Sequence, residues 1–117
     1  ESSAHVAFKQ MIVDADDGAT ELMLKKLVPV RLLKNKFYAD VKQAELKGAS
    51  VEELKDLLGH GRAKKGMFEG DLTEGELEIG QVSGQINQIQ PASAIVEELV
   101  LAYQSLTTGM VDPHFQW

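Results

Sequence analysis

Cysteine is absent from the 117 residues. That excludes disulfides, zinc–thiolate centres and a cysteine nucleophile. Aromatic side chains are scarce, with one Trp and two Tyr, so any core is built mainly from Leu, Ile and Val. No apolar run approaches the roughly 20 residues that cross a bilayer. No signal peptide is expected. The expected location is the cytoplasm, with no membrane partner. Positive charge is missing from one whole stretch, since no Lys or Arg follows Lys65. With a net charge of −6, the chain has too little basic surface to neutralise phosphates, so nucleic acid is not an expected partner.

What is present points to helices. The length suits one small domain or a piece of a larger one, and the opening at Glu1 without Met reads as a processed or truncated piece. Ser2 and Ser3 are candidate caps for a first helix, in which Ala4, Phe8, Met11, Ile12 and Ala15 form one apolar stripe. Asp16-Asp17-Gly18 ends it. Thr20 to Leu24 alternates and has the pattern of a short extended segment. Pro29 fits the first turn of a second helix, with Val30, Leu33, Phe37, Val41 and Ala44 as its buried face and Gly48 as its stop. Ser50 with Glu53 makes a capping box for a third helix, carrying Val51, Leu54, Leu57 and Leu58 and broken by Gly59 and Gly61.

A fourth helix is expected from Asp71 or Thr73, with Leu77, Ile79, Val82, Ile86 and Ile89 on its apolar side. Pro91 opens a fifth, with Ala92, Ile95, Leu99, Ala102, Tyr103 and Leu106 at helical spacing. Thr107 to Trp117 reads as a loose tail unless Phe115 and Trp117 dock. Strand content is expected to be close to nil.

The stretch Gly59 to Gly84 holds seven of the ten glycines, the cations Arg62, Lys64 and Lys65, and then a run of acids. Glycines and cations together suggest a phosphate cradle. However, Gly66 is followed by Met67 rather than the Lys-Ser/Thr of a P-loop. Glu69, Asp71, Glu74, Glu76 and Glu78 read as acids complementing a helix N-terminus. Gly80, Ser83 and Gly84 read as a close-packing face, with Gln81 as an amide needing a partner if buried. His5, His60 and His114 have no metal-ligand spacing, so no metal is expected. His5 reads as a surface or capping residue and His60 as a turn residue. No nucleophile–base arrangement can be assembled.

Three segments together carry a resemblance. Glu1-Ser2-Ser3-Ala4-His5 with Phe8-Lys9 resembles an ES-x-AH-xx-[FY]K motif. Pro29-Val30-Arg31 with Lys34-Asn35 resembles PVR-xx-KN. Gly59, Gly61, Gly70, Asp71, Gly75, Gly80, Gln81 and Gly84 resemble a G-x-G…GD…G…GQ-x-xG stretch. All three, in this order, occur in the flavin-dependent nitronate monooxygenase (2-nitropropane dioxygenase) and type II enoyl-[acyl carrier protein] reductase family, and the likeness runs from residue 1 to about 105. Glu76 and Glu78 stand where family reductases tend to carry small or apolar residues, which favours the monooxygenase.

The resemblance implies a mainly α segment: the C-terminal helices of an FMN-binding (β/α)8 TIM barrel. Residues 1–18 would be the last barrel helix, 19–106 a C-terminal helical extension and 107–117 a tail. The strands, the phosphate loops and the catalytic His would lie upstream, leaving no catalytic residue here. For cofactor binding, Gly80 and Gln81 are the implied candidates, and Glu1 and His5 at the barrel rim come after them; backbone packing and helix capping are their competing roles. The implied partners are the upstream barrel portion, a small-molecule substrate and, in one arrangement, a second copy in a homodimer. The segment alone is expected to be inactive and partly molten or self-associated. Two alternatives stand beside the monooxygenase: an NAD(P)H-dependent enoyl-[acyl carrier protein] reductase of the same family, and a non-enzymatic helical interaction module.

Overall fold

The computed structural model describes residues 1–110. In order, it contains α1 (Val6–Val13), β1 (Thr20–Met23), β2 (Val30–Leu33), α2 (Lys36–Leu46) and α3 (Val51–Leu58). A π-helical turn (Lys64–Phe68), a 3-10 turn (Gln81–Gln85) and α4 (Ala92–Met110) follow. The mainly helical expectation holds, but the helices are not all where periodicity puts them.

The largest departure is at Pro29. Residues 30–33 form a strand, paired antiparallel with β1 in the register Thr20↔Leu33 to Met23↔Val30. On its other edge, Leu33 N–H donates to Leu77 O and Ile79 N–H to Arg31 O, so the segment 77–79 acts as a short third strand bridged at Leu32↔Glu78. Successive strand side chains point to opposite faces. Leu32 therefore enters one core with Met23, Leu24, Phe37, Tyr38, Val41 and Leu54. Leu33 enters another with Phe8 and Leu77. A helix cannot serve two cores with adjacent residues in this way. Strand content is small but central, against the expectation of almost none.

Helix α2 starts later than expected, because Asn35 caps it. Its Oδ1 accepts from Tyr38 N–H at 2.9 Å, and its amide donates to Leu72 O at 3.0 Å and Gly75 O at 2.8 Å. One side chain thus fixes a helix start and holds down the following loop. The predicted capping box of α3 is present: Glu53 N–H donates to Ser50 Oγ, and Ser50 N–H donates to the Glu53 carboxylate. The helix stops at Gly59, whose φ of 64° favours glycine. At α1 the cap is His5, not Ser2 or Ser3; its Nδ1 accepts from Ala7 N–H at 3.1 Å.

The expected fourth helix does not form. Asp71 does bind following N–H groups, accepting from Thr73 and Glu74, but it closes a turn. Leu77 and Ile79 then alternate as strand residues, which is also the spacing they have in the sequence. Past Gly80 only one 3-10 turn forms, and Val82 on the expected buried side is 70 % exposed. Helix α4 forms as Pro91 predicts and continues through residues 107–110 into the expected tail. The docking of Phe115 and Trp117, and His114, fall outside the described residues.

The two cores lie within residues 4–79, while none of the α4 residues is buried. The radius of gyration is 18.9 Å, against about 13 Å for a globular chain of this length.

Candidate functional site

The glycine-rich stretch carries the leading cofactor candidates, Gly80 and Gln81, and its geometry follows from two glycines in contact. A Cβ on Gly75 would lie 2.2 Å from Gly66 Cα and 2.4 Å from Asp71 O. The π-helical turn and the loop after Asp71 therefore cross backbone against backbone. A second close approach is at Gly70, whose φ is +82°, with the His5 ring packed over it. His5 also donates its backbone N–H to Met67 O at 2.8 Å. The start of α1 is in this way suspended from the loop.

The cations of the loop are occupied. Arg62 lies over the Phe37 ring at 4.5 Å and donates to Leu57 O, Leu58 O and Glu74 O. The bonds to Leu57 O and Leu58 O satisfy carbonyls left open at the end of α3, and the bond to Glu74 O ties the following loop to it. Lys64 pairs with Glu69 at 3.6 Å, and Lys65 with Asp71 at 3.1 Å. Lys36 reaches Glu74 at 2.8 Å. The acids therefore neutralise the neighbouring cations rather than a helix dipole, and the loop is not a phosphate cradle. Asp71 is held below the usual carboxylate range by the Glu74 backbone N–H first, then by Lys65.

Glu76 differs from the other acids. It is 7 % exposed, its backbone N–H donates to Arg62 O, and no ion pair holds its carboxylate among the described residues. Burial pushes its pKa up, Glu78 adds to the rise, and Arg62 opposes it. Ser83 is also buried, with a hydroxyl that has no hydrogen-bond partner among the described residues. Sequence reasoning missed the burial of Glu76 and the unpartnered state of the Ser83 hydroxyl. The alternation Glu76-Leu77-Glu78-Ile79 was the available signal for the first; the close-packing reading of Ser83 anticipated its burial, but nothing local marked its unpartnered hydroxyl.

The implied cofactor residues do not converge. Glu1 lines a groove of about 350 Å³ between α1 and the start of α4, with Ile12, Ile86, Ile89 and Ile95. Gln81 is exposed and borders a separate open groove of about 380 Å³ with Asp17; it is not the buried amide its position in the stripe suggested. Gly80 caps the 3-10 turn with open space where a side chain would stand. His5 is committed to α1 and the loop. These four residues do not by themselves make a pocket fitted to a flavin. No cluster among the described residues has the ligands for a metal ion, and no described helix is long and apolar enough to cross a membrane.

Comparison with known proteins connects this geometry to a larger one. The model of the family described as nitronate monooxygenase matches residues 1–102. No curated protein sequence matches the chain. Among solved structures, FabK from Thermotoga maritima superposes with a TM-score of 0.80 at 26% identity, over 92% of this chain and 34% of FabK. A point mutant of the same FabK matches in fold, with a TM-score of 0.72 at 24% identity over 93% of this chain and 32% of that one. The chain therefore spans about a third of the length of these relatives. The chain belongs to the nitronate monooxygenase family, a family of flavin-dependent oxidoreductases of which FabK is a member.

Proposed function

We propose that these residues are the C-terminal portion of an FMN-dependent barrel oxidoreductase that oxidises alkyl nitronates with O2. The family match over residues 1–102 is the observation that carries this reading. When bound, FMN supplies the electron relay from nitronate to O2, and the protein supplies binding and orientation. On this reading FMN is held by the upstream barrel, and the catalytic residues lie there too. This segment contributes position. The His5 hydrogen bonds with Ala7 and Met67 and the packing of its ring over Gly70 fix the entry of α1, and the exposed Gly80-Gln81 turn is the part of the loop free to face the cofactor side.

The match to FabK favours a second reading within the family, an NAD(P)H-dependent enoyl-[acyl carrier protein] reductase. That reading would have a basic segment steer an acidic carrier protein, and the pairing of Lys64 with Glu69 and of Lys65 with Asp71 lowers the positive charge this loop offers it. Membership of an enzyme family also displaces the non-enzymatic helical module.

The deciding experiment uses the intact polypeptide, purified with its flavin and kept free of oxygen. An alkyl nitronate should bleach the oxidised-flavin band while NAD(P)H leaves it unchanged. Bleaching by NAD(P)H alone selects the reductase. A preparation that neither carries nor takes up flavin discards both.

A further inference from the structure

Glu76 is a buried titratable residue with no part in the proposed oxidation. Its backbone is pinned. A Cβ on Gly66 would lie 3.0 Å from Glu76 O and 2.7 Å from Leu77 Cδ2, so the π-helical turn packs directly on this stretch. The Glu76 N–H is tied to Arg62 O at 3.0 Å. Alternation along the extended segment sends Leu77 and Ile79 into the core of Phe8 and Leu33, and Glu76 and Glu78 to the other side. On that side Glu78 stands across from the buried Leu32. Two carboxyls thus share one side of a short segment beside an apolar core.

The charges that would compensate Glu76 are engaged elsewhere. Arg62, the cation that acts on it, directs its donors at Leu57 O, Leu58 O and Glu74 O and lies 3.7 Å from the Glu74 carboxylate. Glu74 also meets Lys36. Around the π-helical turn, Lys64 pairs with Glu69 and Lys65 with Asp71. On the hairpin side, Glu21 of β1 takes Tyr38 and Lys42 of α2, and Lys34, just past β2, acts on Glu21. Burial first and Glu78 second raise the Glu76 pKa. The segment itself is lightly held. Two backbone bonds, Leu33 N–H to Leu77 O and Ile79 N–H to Arg31 O, join it to β2, and Gly80 beyond them stands in open space.

We propose that Glu76, with Glu78 beside it, is a pH-operated catch on residues 76–79: uncharged, it leaves the segment seated on β2, and ionised, it drives the segment to open from that edge. Opening brings the carboxylate into water, so the open form gains as pH rises from the ordinary carboxylate range through the folded value, and levels off above it. The catch sets how firmly the Gly80-Gln81 turn is held to the hairpin, whichever reaction of the family the intact protein performs.

The test is hydrogen exchange of the intact polypeptide at pH 4.5 and pH 8, read by mass spectrometry with the intrinsic exchange rates divided out. Peptides spanning residues 73–80 are compared with peptides from α3. Protection of 73–80 relative to α3 should fall by at least about threefold from the lower to the higher pH, and Glu76→Gln should abolish the fall. Equal relative protection at both pH values overturns the proposal, as does a fall that survives in Glu76→Gln. Glu78→Gln supplies a second arm that keeps Glu76 in place. It removes one of the two causes that raise the Glu76 pKa, so it should shrink the fall. A fall that is unchanged or larger in Glu78→Gln also overturns the proposal.

Discussion

Glu76 is the residue whose environment most opposes its charge. The residue is 7 % exposed, burial and then the neighbouring charge of Glu78 raise its pKa, and Arg62, whose donors are directed at backbone carbonyls, opposes the rise. Because its folded pKa is raised, the favourable contribution is present below the ordinary carboxylate range and is lost as pH rises through the folded value. Glu76→Gln should therefore stabilise the fold at neutral pH, raising the melting temperature by a few degrees, on the order expected for about 1 kcal/mol. The difference from the parent should vanish near pH 3. A gain that persists unchanged at pH 3 would show that packing, not charge, is the cause. Gly75 gives the opposite prediction. An added methyl meets backbone rather than a movable side chain, so Gly75→Ala should cost about 3 kcal/mol in urea unfolding. Gly80→Ala is the control. It has φ −70° and open space around it, so the urea midpoint should stay put.

Among the elements, those that close with a local signal were legible in the sequence. The capping box of Ser50 and Glu53, the stop at Gly48, the break at Gly59 and the opening of α4 after Pro91 are each written within four residues. Ser50→Ala should accordingly cost about 1 kcal/mol, measured as a shift in denaturant midpoint with unchanged slope. No shift would mean that the Glu53 half of the box suffices. The elements misread are those decided at long range. Val30, Leu33, Phe37 and Val41 satisfy a helical spacing, yet Leu32 and Leu33 each face a core, a need visible only once residues 77–79 arrive on the far edge. The fourth helix failed for the same reason. Asp71 carried a valid cap signal, but the Gly66–Gly75 crossing and the pairing of Leu77 and Ile79 with β2 claim the backbone that the helix would have used. Motif order pointed to the family correctly, while the candidate site was legible only as a region. Glu1 and Gln81 border separate grooves, Gly80 stands in open space and His5 packs on Gly70, a spread that no local motif records.

At the scale of the whole molecule, stability is unevenly distributed. Residues 20–79 contain a complete core in which Phe37, Leu32, Leu54 and Val41 are almost fully buried, sewn together by Asn35 and Arg62. Helix α4 has no buried residue, and an isolated helix of its length is marginal in water because nucleation is unfavourable and tertiary packing supplies most helical stability. Amide exchange of the 117-residue chain should separate the two. Slow exchange is expected for α2, α3 and the β1–β2 hairpin, and near-unprotected exchange for residues 92–110. On the reading of the chain as the C-terminal portion of a barrel, the same α4 amides should slow by at least a hundredfold in the intact protein, because opening them would then require uncovering the apolar side chains of α4. Equal protection of α4 and the hairpin in the short chain would show that the helix is stable without a partner. It would also remove the energetic reason for covering it, since the exposed Leu99, Tyr103 and Leu106 would then be tolerated in water.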